Sequence, residues 1–135
     1  MTESNRAAME GFLAAYAARD GAGQFSRMAD DVEIHEPDGL PYGGIWRGHD
    51  GWRQLARKIN ETWELEGNLH ERRIFGNEND EQFVLSTRLT GKSRKTGERF
   101  DMTVLEIWTI IDGKIRSLKP HYFDTLTAAR INGDL

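Results

Sequence analysis

The chain has 135 residues, 38% of them hydrophobic and 30% charged, with a net charge of −4 and no cysteine. That length supports one soluble core with room for a cavity rather than two domains. Basic residues scattered through an acidic chain exclude nucleic acid as the main partner, and the missing cysteine excludes disulfides, thiol nucleophiles and thiolate metal sites.

The N-terminal MTESNRAAMEGF has no apolar signal-peptide core. No apolar run approaches the ~18 residues of a membrane span, so a cytoplasmic protein without membrane contact is expected. Met9, Phe12, Leu13, Tyr16 and Ala17 recur at three- and four-residue steps, the apolar stripe of a first helix. Ser4 is its expected N-cap and Asp20-Gly21 its stop. A short second helix is predicted over 24–28, a strand over 32–36, and then a loop rich in proline and glycine that carries Tyr42 and Trp46. His49 or Asp50 opens a third helix whose stripe is Trp52, Leu55, Ala56, Ile59 and Trp63, with Gly67 as its end. Beyond it the period changes. Strands are predicted at 69–76, 82–92, 98–111 and 114–123, joined by turns at 77–80 and 93–97. Asp112-Gly113 between the last two is a tight-hairpin signal. The basic run at 92–95 reads as a solvated hairpin tip. Helices followed by a meander of long strands indicate an α+β fold, one domain over residues 1–135 with N-terminal helices on a curved antiparallel sheet. Such a sheet leaves a cone-shaped gap, open where the first helix, the Pro/Gly loop and the last strand meet.

Period-2 alternation turns Glu36 to the same side as Ile34 and His35 to the other. Inside an apolar cavity, desolvation would raise the Glu36 pKa and suit it to act as a general base near neutral pH. The alternative is a glutamate that caps the loop or pairs with an arginine. Tyr16 lies on the helix stripe, so its phenol either finds a backbone partner in the core or donates to an oxyanion in the cavity. Leu118, Pro120, Tyr122 and Asp124 share one strand face. Asp124 is thus a second candidate carboxylate, or else the N-cap of a terminal helix DTLTAAR. Trp46, Trp63 and Leu118 are the expected apolar walls, with Tyr42 and Tyr122 beside them. Glu106 is expected to turn outward and pair with Arg88 or Lys119. Val104 and Trp108 are expected on the exposed sheet face, where an apolar patch would favour a homodimer joined through the sheets. His35, His49, His70 and His121 have no ligand spacing, so no metal site is expected.

Taken together, FLAAYAARD, MADDVEIHEP, the G-x-x-R-G-x-D-G opening of the third helix and VLEIWTIIDGKI resemble the nuclear-transport-factor-2-like superfamily, in its ketosteroid-isomerase-like and SnoaL-like polyketide cyclase branches. The resemblance implies a cone of helices wrapped by a curved sheet, a homodimer, no cofactor and a hydrophobic small-molecule ligand. It places Glu36, in Glu36-Pro37-Asp38-Gly39, where ketosteroid isomerase has its Asp base, and Tyr16 where it has its oxyanion tyrosine. Thr103 falls where a second, acidic oxyanion donor would stand, which argues against steroid isomerisation in particular. Asp124 is similar in position to the late acid/base Asp of the cyclases. The expected function is a cofactor-free general acid/base enzyme, an isomerase, dehydratase or cyclase acting on a hydrophobic carbonyl compound. A non-catalytic binding or scaffold module is the alternative, and an epoxide-hydrolase-like activation of water is a third.

Overall fold

The computed structural model describes residues 3–66 and 70–135. Ser4 starts the first helix, α1 (Asn5–Ala17), by accepting a hydrogen bond from the Ala7 N–H at 3.1 Å. Ala8, Met9, Phe12 and Leu13 are buried, Tyr16 is half-buried and Ala17 is exposed. The helix stops because Arg19 takes the left-handed backbone, with φ of 56°. Asp20 then caps a separate short helix, α2 (Gly21–Phe25), through its side chain. The second helix therefore lies earlier than 24–28, and Met28 opens β1 (Met28–Glu36).

After the loop come β2 (Gly44–Arg47) and α3 (Gly48–Thr62), which buries Trp52 and Leu55. Trp63, expected on the α3 stripe, instead begins β3 (Trp63–Leu65). The expected stop at Gly67 and the first residue of the 69–76 strand lie outside the described residues. The remaining elements are β4 (His70–Phe75), β5 (Gln82–Ser93), β6 (Arg99–Ile111), β7 (Lys114–Tyr122) and α4 (Thr125–Ile131). The strands form one sheet in the order β2-β1-β7-β6-β5-β3, with β4 also paired to β5. Among the described residues, only β1 and β7 pair in parallel. The sheet curls into a half-barrel with the helices against it, an α+β fold.

Asp112 and Gly113 both have positive φ, 51° and 73°, the backbone of a type I′ hairpin. Asn5 fastens this hairpin to α1: its amide donates to the Ile110 carbonyl, and its Oδ1 accepts from the Gly113 N–H at 2.9 Å. At Gly91 a Cβ would sit 2.3 Å from the Glu64 carbonyl, so only glycine lets β3 pass so close to β5.

The phase of β6 departs from expectation. An unbulged hairpin from Ile111↔Lys114 would set Glu106 opposite Lys119 and Thr103 opposite Tyr122. The register shifts by one residue between Thr109 and Ile110, so Trp108 pairs with Leu118, Glu106 with Pro120 and Val104 with Tyr122. The extra residue is on β7, and the even-numbered residues of β6 face inward along the whole strand, from Phe100 to Ile110. Val104 and Trp108 are buried, whereas Thr103 is exposed and Leu105 and Ile107 occupy the outer face. Trp108, Phe83, Leu85, Met9, Leu55 and Ile34 are each at most 1% exposed, and full burial of one such side chain contributes roughly 1.5–3 kcal/mol. Among the described residues no helix is long and apolar enough to cross a membrane.

Candidate active site

Three strands place the acidic groups. Ile34 pairs with Leu118, and Leu118 with Trp108, which makes one row across the concave face. Two residues along each strand, on the same face, stand Glu36, Pro120 and Glu106. Strands lie about 4.8 Å apart, so the Glu36 and Glu106 backbones are separated by roughly 10 Å and both side chains project into the same space. That space is a cavity of ≈ 670 Å³ under α1, α2 and α3, open on one side. Its apolar wall includes Phe12, Trp52, Trp108 and Leu118, and Tyr16, Glu36, Glu106 and Tyr122 also line it.

Glu36 is 7% exposed, and its Oε1 is buried with no hydrogen-bond partner among the described residues. Burial first, and the like charge of Glu106 second, push its carboxyl up to about 8. Burial also raises Glu106, to about 7, against the pull of the Trp108 indole N–H, which donates to its Oε1 at 3.0 Å. Tyr16 packs on Trp52 with ring centroids 6.1 Å apart. Its phenol is raised by burial, then by the charges of Glu106 and Glu36. It therefore keeps its proton across the neutral range and stands as a hydrogen-bond donor beside two carboxyls. Gln24, buried on α2, also lines the cavity. Its Oε1 accepts from the Trp52 indole at 2.9 Å, which leaves the amide N–H groups as its donors.

Tyr122 is held from behind. Its hydroxyl and that of Tyr42 are 2.6 Å apart, and the Trp63 indole donates to the Tyr42 hydroxyl at 2.8 Å. The Trp46 indole donates to the Tyr42 backbone carbonyl at 2.8 Å, closing the Pro/Gly loop onto the same group. Burial raises the phenols of both Tyr42 and Tyr122, so this network stays protonated.

The structure brings Tyr16, Glu36, Leu118 and Tyr122 together on the cavity wall. Tyr42, Trp46 and Trp63 do not line it; they form the support of Tyr122. Thr103 faces outward, since the odd-numbered residues of β6 point away from the cavity. Asp124 is also displaced. β7 ends at Tyr122, and the Asp124 carboxylate caps α4, accepting from the Thr127 N–H at 3.0 Å and from its hydroxyl at 2.6 Å. Those two hydrogen bonds hold its pKa below the usual carboxylate range. Glu106 does not pair with Arg88 or Lys119: Arg88 is engaged by Asp101 and Glu71, and Lys119 sits opposite Ile107. Its inward position had a legible signal in the sequence. The even phase of β6 reads Phe100, Met102, Val104, Glu106, Trp108 and Ile110, all apolar but Glu106, while the odd phase mixes Leu105, Ile107 and Ile111 with Arg99, Asp101, Thr103 and Thr109. Among the described residues, no three His, Asp or Glu side chains cluster as a metal site requires.

Comparison with known proteins agrees with this architecture. The sequence profile of the SnoaL-like domain matches residues 9–118. A nuclear-transport-factor-2-like protein from Burkholderia xenovorans is 25% identical, with a TM-score of 0.83 over 98% of either chain. Another, of unknown function, from Burkholderia pseudomallei is 23% identical, with a TM-score of 0.81 over 94% of this chain and 95% of that one. A candidate SnoaL-like polyketide cyclase from Mesorhizobium loti is 25% identical, with a TM-score of 0.67 over 87% of this chain and 97% of its own. No curated protein matches the sequence. A profile match over most of the chain, on a half-barrel capped by helices, places it by both sequence and shape: the chain belongs to the SnoaL-like family of the nuclear-transport-factor-2-like superfamily.

Proposed function

We propose that this protein is a cofactor-free general acid/base enzyme of the isomerase, dehydratase or cyclase type, acting on a hydrophobic carbonyl compound held in the cavity. The observation that carries the reading is the Glu36 carboxyl, buried with an unpartnered Oε1, raised to about 8 and facing the same space as the Tyr16 phenol. A base of that strength removes a proton next to a carbonyl near neutral pH, and Tyr16 donates to the enolate oxygen that forms. Glu106 acts through Glu36, because its charge makes Glu36 the stronger base. Glu36 then carries the proton and returns it to the new position, while Tyr122, held by Tyr42, assists as a hydrogen-bonding phenol and keeps its own proton. The apolar wall sequesters the enolate from water. The relative from Mesorhizobium loti, a candidate cyclase, supports chemistry of this class.

The test follows α-proton exchange into deuterated water for acetophenone and larger aryl ketones, with binding read by tryptophan fluorescence. Glu36→Gln should lower exchange by a factor of about a hundred or more and leave binding in place. Undiminished exchange in the variant would overturn the assignment of Glu36, and wild-type protein that binds the ketones without exchange above the buffer rate would favour a binding module. The outer face of β6, with Leu105 and Ile107 partly exposed, is our reading of where two copies join. Equilibrium sedimentation that finds only 15.4 kDa particles counts against that dimer.

A further inference from the structure

The mouth of the cavity carries an electrostatic asymmetry. Five charged side chains on its lining, apart from the two inner glutamates, are Arg19, Arg88, Arg94, Glu64 and Glu66. Three of them are already engaged. Glu64 pairs with Lys92 at 3.2 Å, Glu66 with Arg99, and Arg88 with both Asp101 and Glu71. Arg19 and Arg94 have no carboxylate partner among the described residues. The Arg94 Nε donates to the Asn60 backbone carbonyl at 2.6 Å, which fixes the side chain and leaves the two terminal nitrogens without a partner there. Arg19 sits next to the catalytic end of α1, close enough for its charge to act on the Tyr16 phenol. It also occupies a position that favours glycine, with φ of 56°, although Gly21 follows only two residues later. The adjacent Asp20 forms no ion pair with it; that carboxylate caps α2 by accepting from the Gly23 N–H at 3.0 Å.

From this arrangement we infer that the substrate is an amphiphile with an anionic group, a carboxylate or a phosphate, which Arg19 and Arg94 hold at the cavity mouth while its apolar, carbonyl-bearing body lies inside. Guanidinium groups suit both anions, because their paired N–H donors match two oxygens at once. Held there, the anion fixes the depth at which the substrate enters and so the atom that meets Glu36. With no carboxylate paired to either guanidinium among the described residues, both are available to an anion at the opening. The inference rests on the proposed function only in taking this cavity as the substrate site.

The experiment measures binding of decanoate, decyl phosphate and methyl decanoate by tryptophan fluorescence, at low and high ionic strength. Wild-type protein should bind at least one of the two anions about tenfold or more tighter than the ester, with the preference shrinking as salt rises. Whichever anion shows the larger preference is the group that the mouth selects. Arg19→Gln and Arg94→Gln should each weaken anion binding, and the pair should abolish the preference while the ester binds as before. Glu36→Gln, which tests catalysis, should leave the preference intact. Equal binding of anions and ester by the wild-type protein overturns the inference without touching the role of Glu36. Equal weakening of all three ligands in the arginine variants does so too. Failure of every ligand to bind overturns it together with the apolar cavity on which it depends.

Discussion

β1 and β7 lie side by side and run in the same direction, and each leads to a carboxylate followed by a change of direction in the chain. Their fates are opposite. Glu36 is still within β1, so the alternation of the strand turns it into the cavity, where desolvation raises its pKa to about 8. Asp124 lies two residues past the end of β7, where alternation no longer applies, and two hydrogen bonds from Thr127 lower its pKa. Two residues of chain separate a candidate base from a helix cap. An acid at a strand end acquires its chemistry from whether the strand continues through it.

The largest expected effect sharpens that contrast. If Glu36 and Asp124 differ as described, Glu36→Gln removes most α-proton exchange, whereas Asp124→Asn leaves the rate within about threefold of wild type, a surface cap being remote from the proton transferred. Comparable losses in both would collapse the distinction.

Next in size is the pH dependence. Exchange should rise with pH through about 8 as Glu36 ionises. Glu106→Gln removes a like charge beside Glu36, so the rising limb should move to lower pH, read directly from the rate profile. A limb that stays in place would mean that the two carboxyls do not sense each other.

Stability should follow the same contrast with a smaller amplitude. The folded-state pKa of Glu36 lies above its unfolded value of 4.5, so between pH 4.5 and 8 the folded state binds more protons than the unfolded chain. Stability therefore falls as pH rises across that window. Glu36→Gln should be the more stable protein above pH 8, by about 2–4 kcal/mol in urea melts, and should converge with wild type below pH 4.5. Asp124 has the reverse sign: its folded pKa is depressed, so its contribution is present above pH 3.8 and lost as pH falls further. Asp124→Ala should lower the melting temperature at pH 7 by a few degrees through loss of the α4 cap.

Much of the fold was legible in local pattern. The strands at 82–92, 98–111 and 114–123 were readable because long β-branched and aromatic runs alternate between turn residues. The Asp112-Gly113 turn was readable because its two left-handed backbones suit those residue types. Ser4 announced α1 by its capping chemistry. The inward placement of Glu36 followed from Ile34 and the two-residue period alone. Less of the site was readable. The one-residue bulge on β7 shifts its pairing with β6, so counting from the Asp112-Gly113 turn sets Thr103, rather than Val104, opposite Tyr122. A bulge reflects how two strands accommodate sheet curvature, and the hairpin sequence itself carries no mark of it.

The amino-acid pattern by itself determined the α+β class, the order of its elements and the presence of an acid and a phenol on inward-facing positions, since each of these depends on spacing along the chain. The tertiary structure alone decided that Glu106 joins Glu36, that Tyr42, Trp46 and Trp63 brace Tyr122, and that Arg19 and Arg94 at the mouth are left without a carboxylate partner among the described residues. Those facts depend on which strands lie next to each other and on which charges are already paired across space, and neither is encoded in any local stretch of residues.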